Sequence, residues 1–127
     1  GAEWVVEASV AYAKDRVQYG RPIGSYQAIQ HYLADMWTEV GLAKRMTYYA
    51  AWRIQAGLPF AAEASMTKAW VSEVYARVTR MAIQIHGALG TTRDHDVGLY
   101  YQRARQAWPL FGDPDFHREM VARSMGV

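Results

Sequence analysis

Two long runs of apolar residues at helical spacing constrain this chain more than any other feature. Between Ser25 and Ala56 the positions Ile29, Leu33, Met36, Val40, Ala43, Met46 and Ala50 recur in steps of three and four. That is the pattern of one buried helix face. Asp35, Glu39, Lys44 and Arg45 fall off the stripe. From Phe60 to His86 a second stripe repeats through Ala64, Val71, Val78 and Ile85, with Val74 and Met81 between them. Gly57-Leu58-Pro59 separates the two, a short helix-breaking joint. Helices so joined pack as antiparallel neighbours. Each large side chain buried on the stripes stabilises by roughly 1.5–3 kcal/mol. The pattern is helical almost throughout, so the chain reads as all-α: an up-down, four-helix-bundle-like domain with a short extra helix.

The remaining segments agree with this. Residues 3–18, rich in Ala, Val and Glu, read as a first helix stopping at Gly20, with Pro22 blocking continuation. Ser25 is the expected cap of the next helix. Beyond Gly90, Thr91-Thr92-Arg93-Asp94-His95-Asp96 reads as a polar loop. A helix follows from about Val97 to Ala107, broken by Pro109 and Gly112. Asp113 followed by Pro114 is a strong start signal for a last helix, to about Met125. No strand-like alternation and no internal repeat stand out.

Composition excludes several classes of function. The 127 residues suit one compact domain, and 51% of them are hydrophobic, enough for a core. The formal net charge is only +2 and no Lys or Arg tract occurs, so nucleic-acid binding is not indicated. There is no cysteine, hence no disulfide and no thiolate metal site. No apolar stretch approaches the roughly 20 residues needed to span a bilayer, and no signal peptide is visible. Asp94, His95 and Asp96 are potential metal ligands, but neighbours in a loop rarely converge on one ion. No metal site is expected. The chain begins Gly1-Ala2 without Met and enters a helix at once, which reads as a fragment or a processed chain.

Chemistry concentrates in two turns. Arg16-Val17-Gln18-Tyr19-Gly20-Arg21-Pro22-Ile23, with Gln27 beyond, sets an arginine, an aromatic ring and amides around a Gly/Pro interruption. Charge, stacking and hydrogen bonding from such groups can hold a phosphorylated, flavin-like nucleotide. The second turn is Gln84-Ile85-His86-Gly87-Ala88-Leu89-Gly90. Taken singly, these residues have plainer readings. Arg16 suits a helix C-terminus, Tyr19 suits packing, Gln27 and Gln84 suit a wet surface, and His86 suits a helix end. The Met and Trp residues of the helices are core fillers by default.

In order and spacing, however, the segments resemble the C-terminal helical domain of the acyl-CoA dehydrogenases along nearly the whole chain. The matching pieces are 12–20, Pro22-Ile23, Gln27, Leu33-Ala34-Asp35-Met36, Met66-Thr67-Lys68-Ala69 and 84–90. The resemblance implies one domain over 1–127, with the family's N-terminal helical and middle β domains lying outside it. It implies FAD as cofactor, α,β-dehydrogenation of an acyl-CoA thioester, and electron-transfer flavoprotein as the acceptor partner. It also implies assembly as a homo-oligomer, or as a hetero-oligomer with a related subunit. A cytoplasmic, bacterial setting is expected. Position by position, Arg16 matches the arginine that pairs with the flavin pyrophosphate of the neighbouring subunit. Gln18 lies near the same phosphates, and Tyr19 matches an aromatic at the adenine end. Gln27 and Gln84 match amides that bond the adenosine portion. His86 and Gly87 lie where the backbone approaches the cofactor, an approach that Gly permits.

One departure stands out. Where many members place a catalytic Glu before a Gly-Thr pair, the stretch here is Trp108-Pro109-Leu110-Phe111-Gly112-Asp113-Pro114. Phe111 occupies the Glu position and cannot accept a proton, so no catalytic residue is assigned. Asp113 takes the Thr position, where it suits a helix cap. Either the Glu comes from a helix upstream of Gly1, as in some members, or the chain belongs to a degenerate subunit that pairs with a competent one. The second reading is preferred here. The five tryptophans, Trp4, Trp37, Trp52, Trp70 and Trp108, imply surfaces covered by other domains or partners, and hence self-association.

Overall fold

A computed structural model describes residues 1–93 and 95–127. Asp94, from the polar run weighed above as metal ligands, lies outside the described residues. The elements in chain order are α1 (Ala2–Asp15), β1 (Val17–Gln18), β2 (Arg21–Pro22), a 3₁₀ turn (Ile23–Ser25), α2 (Gln27–Gln55), α3 (Ala61–His86), α4 (Ala88–Thr91), α5 (Val97–Ala107) and α6 (Pro114–Ser124). The domain is all-α apart from that two-strand hairpin.

α3 is the hub and packs against each of the other α-helices. Gly1 lies against Tyr75 while Tyr12 stacks on His86, so α1 runs parallel to α3. Three contacts along α2 give it the opposite sense. Arg53 pairs with Glu63 at 2.9 Å, Thr67 donates to the Met46 carbonyl at 3.3 Å, and Arg77 pairs with Glu39 at 3.2 Å. α5 is also antiparallel to α3: His95 is beside His86, and the Ala107 carbonyl is 3.5 Å from Lys68 Nζ. This is the up-down arrangement expected from the two stripes. α6 lies on α3, joined by an Arg118–Glu73 ion pair.

The stripes form the core as the spacing requires. Met36 and Ala43 from α2, Val74, Val78, Ala82 and Ile85 from α3, Val5 and Val6 from α1 and Val97 from α5 make one buried cluster. Ile29, Leu33, Val40, Val71 and Met81 pack around it. Asp113 caps α6 as expected, its Oδ1 accepting from the Phe116 N–H at 2.8 Å, with Pro114 in the first turn.

Three expectations are corrected. The first helix stops at Asp15 rather than 18, and residues 17–22 form an antiparallel hairpin, Val17 opposite Pro22 and Gln18 opposite Arg21. Arg16 turns extended, at φ −73° and ψ 118°. Tyr19 and Gly20 both take positive φ, 52° and 81°, as the tightest two-residue hairpin turns demand. Backbone bonds given up by the helix are regained when the Ile23 N–H donates to the Arg16 carbonyl at 2.8 Å. Secondly, Ser25 does not cap α2. It closes the 3₁₀ turn by donating to the Pro22 carbonyl at 2.7 Å, and Tyr26 stands at the cap position. Thirdly, the polar run after Gly90 is not loop from its first residue, since Thr91 completes a helical turn over 88–91.

Candidate functional site: the hairpin end of the bundle

The hairpin is built rigidly from both sides. The Tyr26 hydroxyl donates to the Gln18 carbonyl at 3.0 Å, and the Arg21 guanidinium lies 4.1 Å from the centre of the Tyr26 ring. That stacked cation holds β2 against the start of α2. Gln30 Nε2 donates to the Gly24 carbonyl at 3.1 Å. Gly24 itself lies so close to the last turn of α1 that a Cβ there would come within 2.9 Å of the Ala13 carbonyl oxygen. The chain therefore leaves α1, turns and enters α2 along one fixed path.

Tyr12 links this hairpin to the second motif. Its ring stacks on His86 at 4.3 Å between centroids, and its hydroxyl lies 3.5 Å from the His86 carbonyl oxygen. Because α1 and α3 are parallel, their C-terminal ends, and with them the two turns read from the sequence, fall at the same end of the bundle. Arg16, Gln18, Tyr19 and Gln27 are exposed there, as are Gln84 and Gly87. Tyr19 is 94% exposed, with its backbone held at left-handed φ. Among the described residues no carboxylate lies within 4.0 Å of the Arg16 guanidinium.

His86 differs from the rest. Its side chain is only 3% exposed and turns into the core. Nδ1 lies 2.8 Å from the Ala82 carbonyl, which fixes the proton on that nitrogen and leaves Nε2 as a buried, unpartnered acceptor. Burial lowers its pKa below the usual histidine value, and neighbouring His95 lowers it further. The imidazole is thus a neutral packing group, and only the backbone of 86–87 is available to a ligand. Gly87 makes that backbone bare. It joins α3 to α4 at φ 61° and ψ −138°, with open space where a Cβ would stand.

Phe111 lies at the tip of the turn between α5 and α6, 91% exposed and at φ 61°. The turn is fastened from three directions. His117 Nε2 is 2.9 Å from the Phe111 carbonyl, and the Gly112 N–H donates to the Pro109 carbonyl at 3.2 Å. Lys68 Nζ, from α3, donates to the Trp108 carbonyl at 3.1 Å and the Ala107 carbonyl at 3.5 Å, with Ser72 Oγ at 2.8 Å. An amine at the end of α5 satisfies carbonyls that the helix leaves unpaired. Burial lowers the Lys68 pKa, partly offset by Asp113. Sequence reading gave Tyr12, Tyr26 and Lys68 no role of their own. Tyr12 and Lys68 sit inside the matching segments, but nothing in their spacing shows what they touch.

The sequence matches the acyl-CoA dehydrogenase C-terminal domain over residues 1–126. The chain belongs to the acyl-CoA dehydrogenase family. It is 40% identical over 124 residues to a probable acyl-CoA dehydrogenase, YngJ, of Bacillus subtilis, which covers 98% of this chain and 33% of that protein. Its fold superposes on butyryl-CoA dehydrogenase from Megasphaera elsdenii with a TM-score of 0.96 and 31% identity, over 99% of this chain and 33% of that one. PigA, solved as a complex with FAD, superposes with a TM-score of 0.95 and 26% identity, over 99% of this chain and 33% of PigA. The chain thus spans about a third of the length of these relatives. Among the described residues no helix is long and apolar enough to cross a membrane.

Proposed function

We propose that this chain is the FAD-contacting and oligomerisation domain of an acyl-CoA dehydrogenase-like flavoprotein. The observation that carries the reading is the braced hairpin, which presents Arg16, Gln18 and Tyr19 at the same end of the bundle as Gln27, Gln84 and the bare Gly87 backbone. The donor set fits an adenosine diphosphate moiety. Arg16 offers a guanidinium to phosphate, Tyr19 an aromatic face, and Gln27 and Gln84 amides for the sugar and base. FAD, when bound, supplies the hydride acceptor for dehydrogenation of an acyl-CoA thioester. This chain's own residues hold and orient it; none of them is assigned to remove the substrate proton, since Phe111 has no acceptor atom for one. The domain by itself is expected to be inactive.

The test is the full-length protein carrying Arg16→Ala. Loss of one charge-assisted contact of roughly 1.5–3 kcal/mol weakens flavin binding by about 10- to 100-fold. Flavin content and affinity equal to the unsubstituted protein would remove the clamp from the reading.

Phe111 favours a second reading, in which the full-length protein is a non-catalytic subunit that assembles with a catalytic acyl-CoA dehydrogenase. Co-expression with a neighbouring acyl-CoA dehydrogenase gene separates the two. A full-length homomer that binds FAD and turns over acyl-CoA with electron-transfer flavoprotein as acceptor excludes the scaffold role.

A further inference from the structure

Away from the hairpin end, α3 and α5 enclose a groove of about 340 Å³ on which three arginines converge: Arg77 and Arg80 from α3 and Arg105 from α5. Tyr101 and Trp108 complete the lining together with Glu73. The charges are poorly balanced. Arg77 is met by Glu39 at 3.2 Å and by Glu73 at 3.9 Å, and Glu73 is also shared with Arg118. Neither Arg80 nor Arg105 has a carboxylate within 4.0 Å among the described residues. A basic residue in the last turn of a helix often serves the helix terminus, and Arg105 holds that position in α5. Here the Lys68 ammonium already takes the Ala107 and Trp108 carbonyls. The Arg105 charge is therefore not needed to satisfy those two carbonyls, and it faces the groove with Arg80.

We propose that this groove binds a phosphorylated small molecule with a planar ring, of the nucleoside diphosphate type. Guanidinium groups recognise phosphoryl oxygens by paired, charge-assisted hydrogen bonds, and two of the three here have no carboxylate partner among the described residues. Trp108 and Tyr101 line the same groove as the arginines, and theirs are the side chains there that can pack on a planar ring. Lys68 fixes the backbone at Trp108, so that part of the wall is preformed rather than assembled on binding. The groove volume lies within the range of small-molecule sites. An acidic polypeptide would also be drawn to the arginines, but it would make no use of the two rings. The site is separate from the hairpin clamp: it uses neither Arg16 nor Gln27.

The test measures binding of ADP and of inorganic pyrophosphate to the full-length protein by calorimetry at physiological salt, in saturating FAD so that the hairpin clamp is already filled. Three proteins are compared: the unsubstituted one, the Arg80→Ala/Arg105→Ala double variant and Trp108→Leu. The expected result is at least a tenfold loss of affinity for both ligands in the double variant, with thermal stability retained because both side chains are exposed. Trp108→Leu should weaken ADP several-fold more than pyrophosphate. The proposal is overturned if neither ligand binds the unsubstituted protein, or if the double variant binds both normally. It is also overturned if ADP binds only when FAD is withheld, which would place the ADP in the hairpin clamp, or if an acidic peptide binds through Arg80 and Arg105 while ADP does not.

Discussion

At the scale of single residues, environment assigns roles that residue type leaves open. His86 is polar in any composition table, yet the fold makes it a neutral core group stacked on Tyr12. Its folded pKa is lowered, so the unfolded chain binds the proton more tightly. The stability it contributes is therefore complete above the ordinary value of 6.5 and is lost as pH falls from there towards the lower folded value. Melting temperature should decline on acidification from pH 7.5 to 5.5, and His86→Gln should flatten that decline relative to the parent. An equal slope in both proteins would assign it to other groups. Phe111 is the converse case, an exposed apolar residue in a backbone region that costs a non-glycine residue roughly 1–2 kcal/mol. Phe111→Gly relieves that strain at an entropic cost of roughly 0.5–1 kcal/mol. A net gain of about 0.5–1 kcal/mol is expected in urea unfolding. A loss would show that the turn depends on the ring.

At the scale of elements, helix starts and stops follow local chemistry where that chemistry is strong. Asp113-Pro114 opens α6 just where the sequence places it, and Asp113→Ala should cost about 1 kcal/mol of stability in thermal or urea unfolding. The junction after α1 is weaker, and here sequence reading erred. Gly20 was legible as a stop, but the turn it shares with Tyr19 begins a hairpin that ends the helix at Asp15. A two-residue strand has no alternation to detect, and its register is held by Tyr26 and Gly24 from beyond the turn. Gly24→Ala forces a methyl against the Ala13 carbonyl, a backbone atom that cannot rotate away. It should destabilise by roughly 1–3 kcal/mol and loosen the hairpin, seen as faster amide exchange over 17–23. Unchanged exchange there would mean that α1 and the hairpin are not coupled through this contact.

At the scale of the whole molecule, the surface carries more large apolar area than its own fold uses. Trp37, Tyr48 and Trp52 are 61%, 64% and 52% exposed on α2, with Leu42 and Ile54 also exposed on that helix. Apolar surface of this kind marks contact with other domains or subunits. The 127-residue chain is accordingly expected to self-associate in concentration-dependent sedimentation. A single monomeric species at high concentration would count against an interface on α2. Trp4 and Trp70 are partly spoken for within the chain, Trp4 by stacking on Tyr100 at 4.5 Å and Trp70 by the Arg77 guanidinium at 5.3 Å.

The sequence by itself determined the long helices, the stripes they bury, the last helix's cap and the family, because periodicity, breakers and caps are properties of contiguous residues. It also singled out Arg16, Gln18, Tyr19, Gln27, Gln84 and Gly87, which the fold leaves exposed at one end of the bundle; their part in holding FAD is the proposal made above. What only the tertiary structure decided is which distant residues meet. Tyr12 reaches His86 because α1 and α3 are parallel, Lys68 closes the end of α5, and Arg77 and Arg80 come to share a groove with Arg105. These encounters depend on how whole helices are set against one another, a direction and register that no local pattern along the chain records.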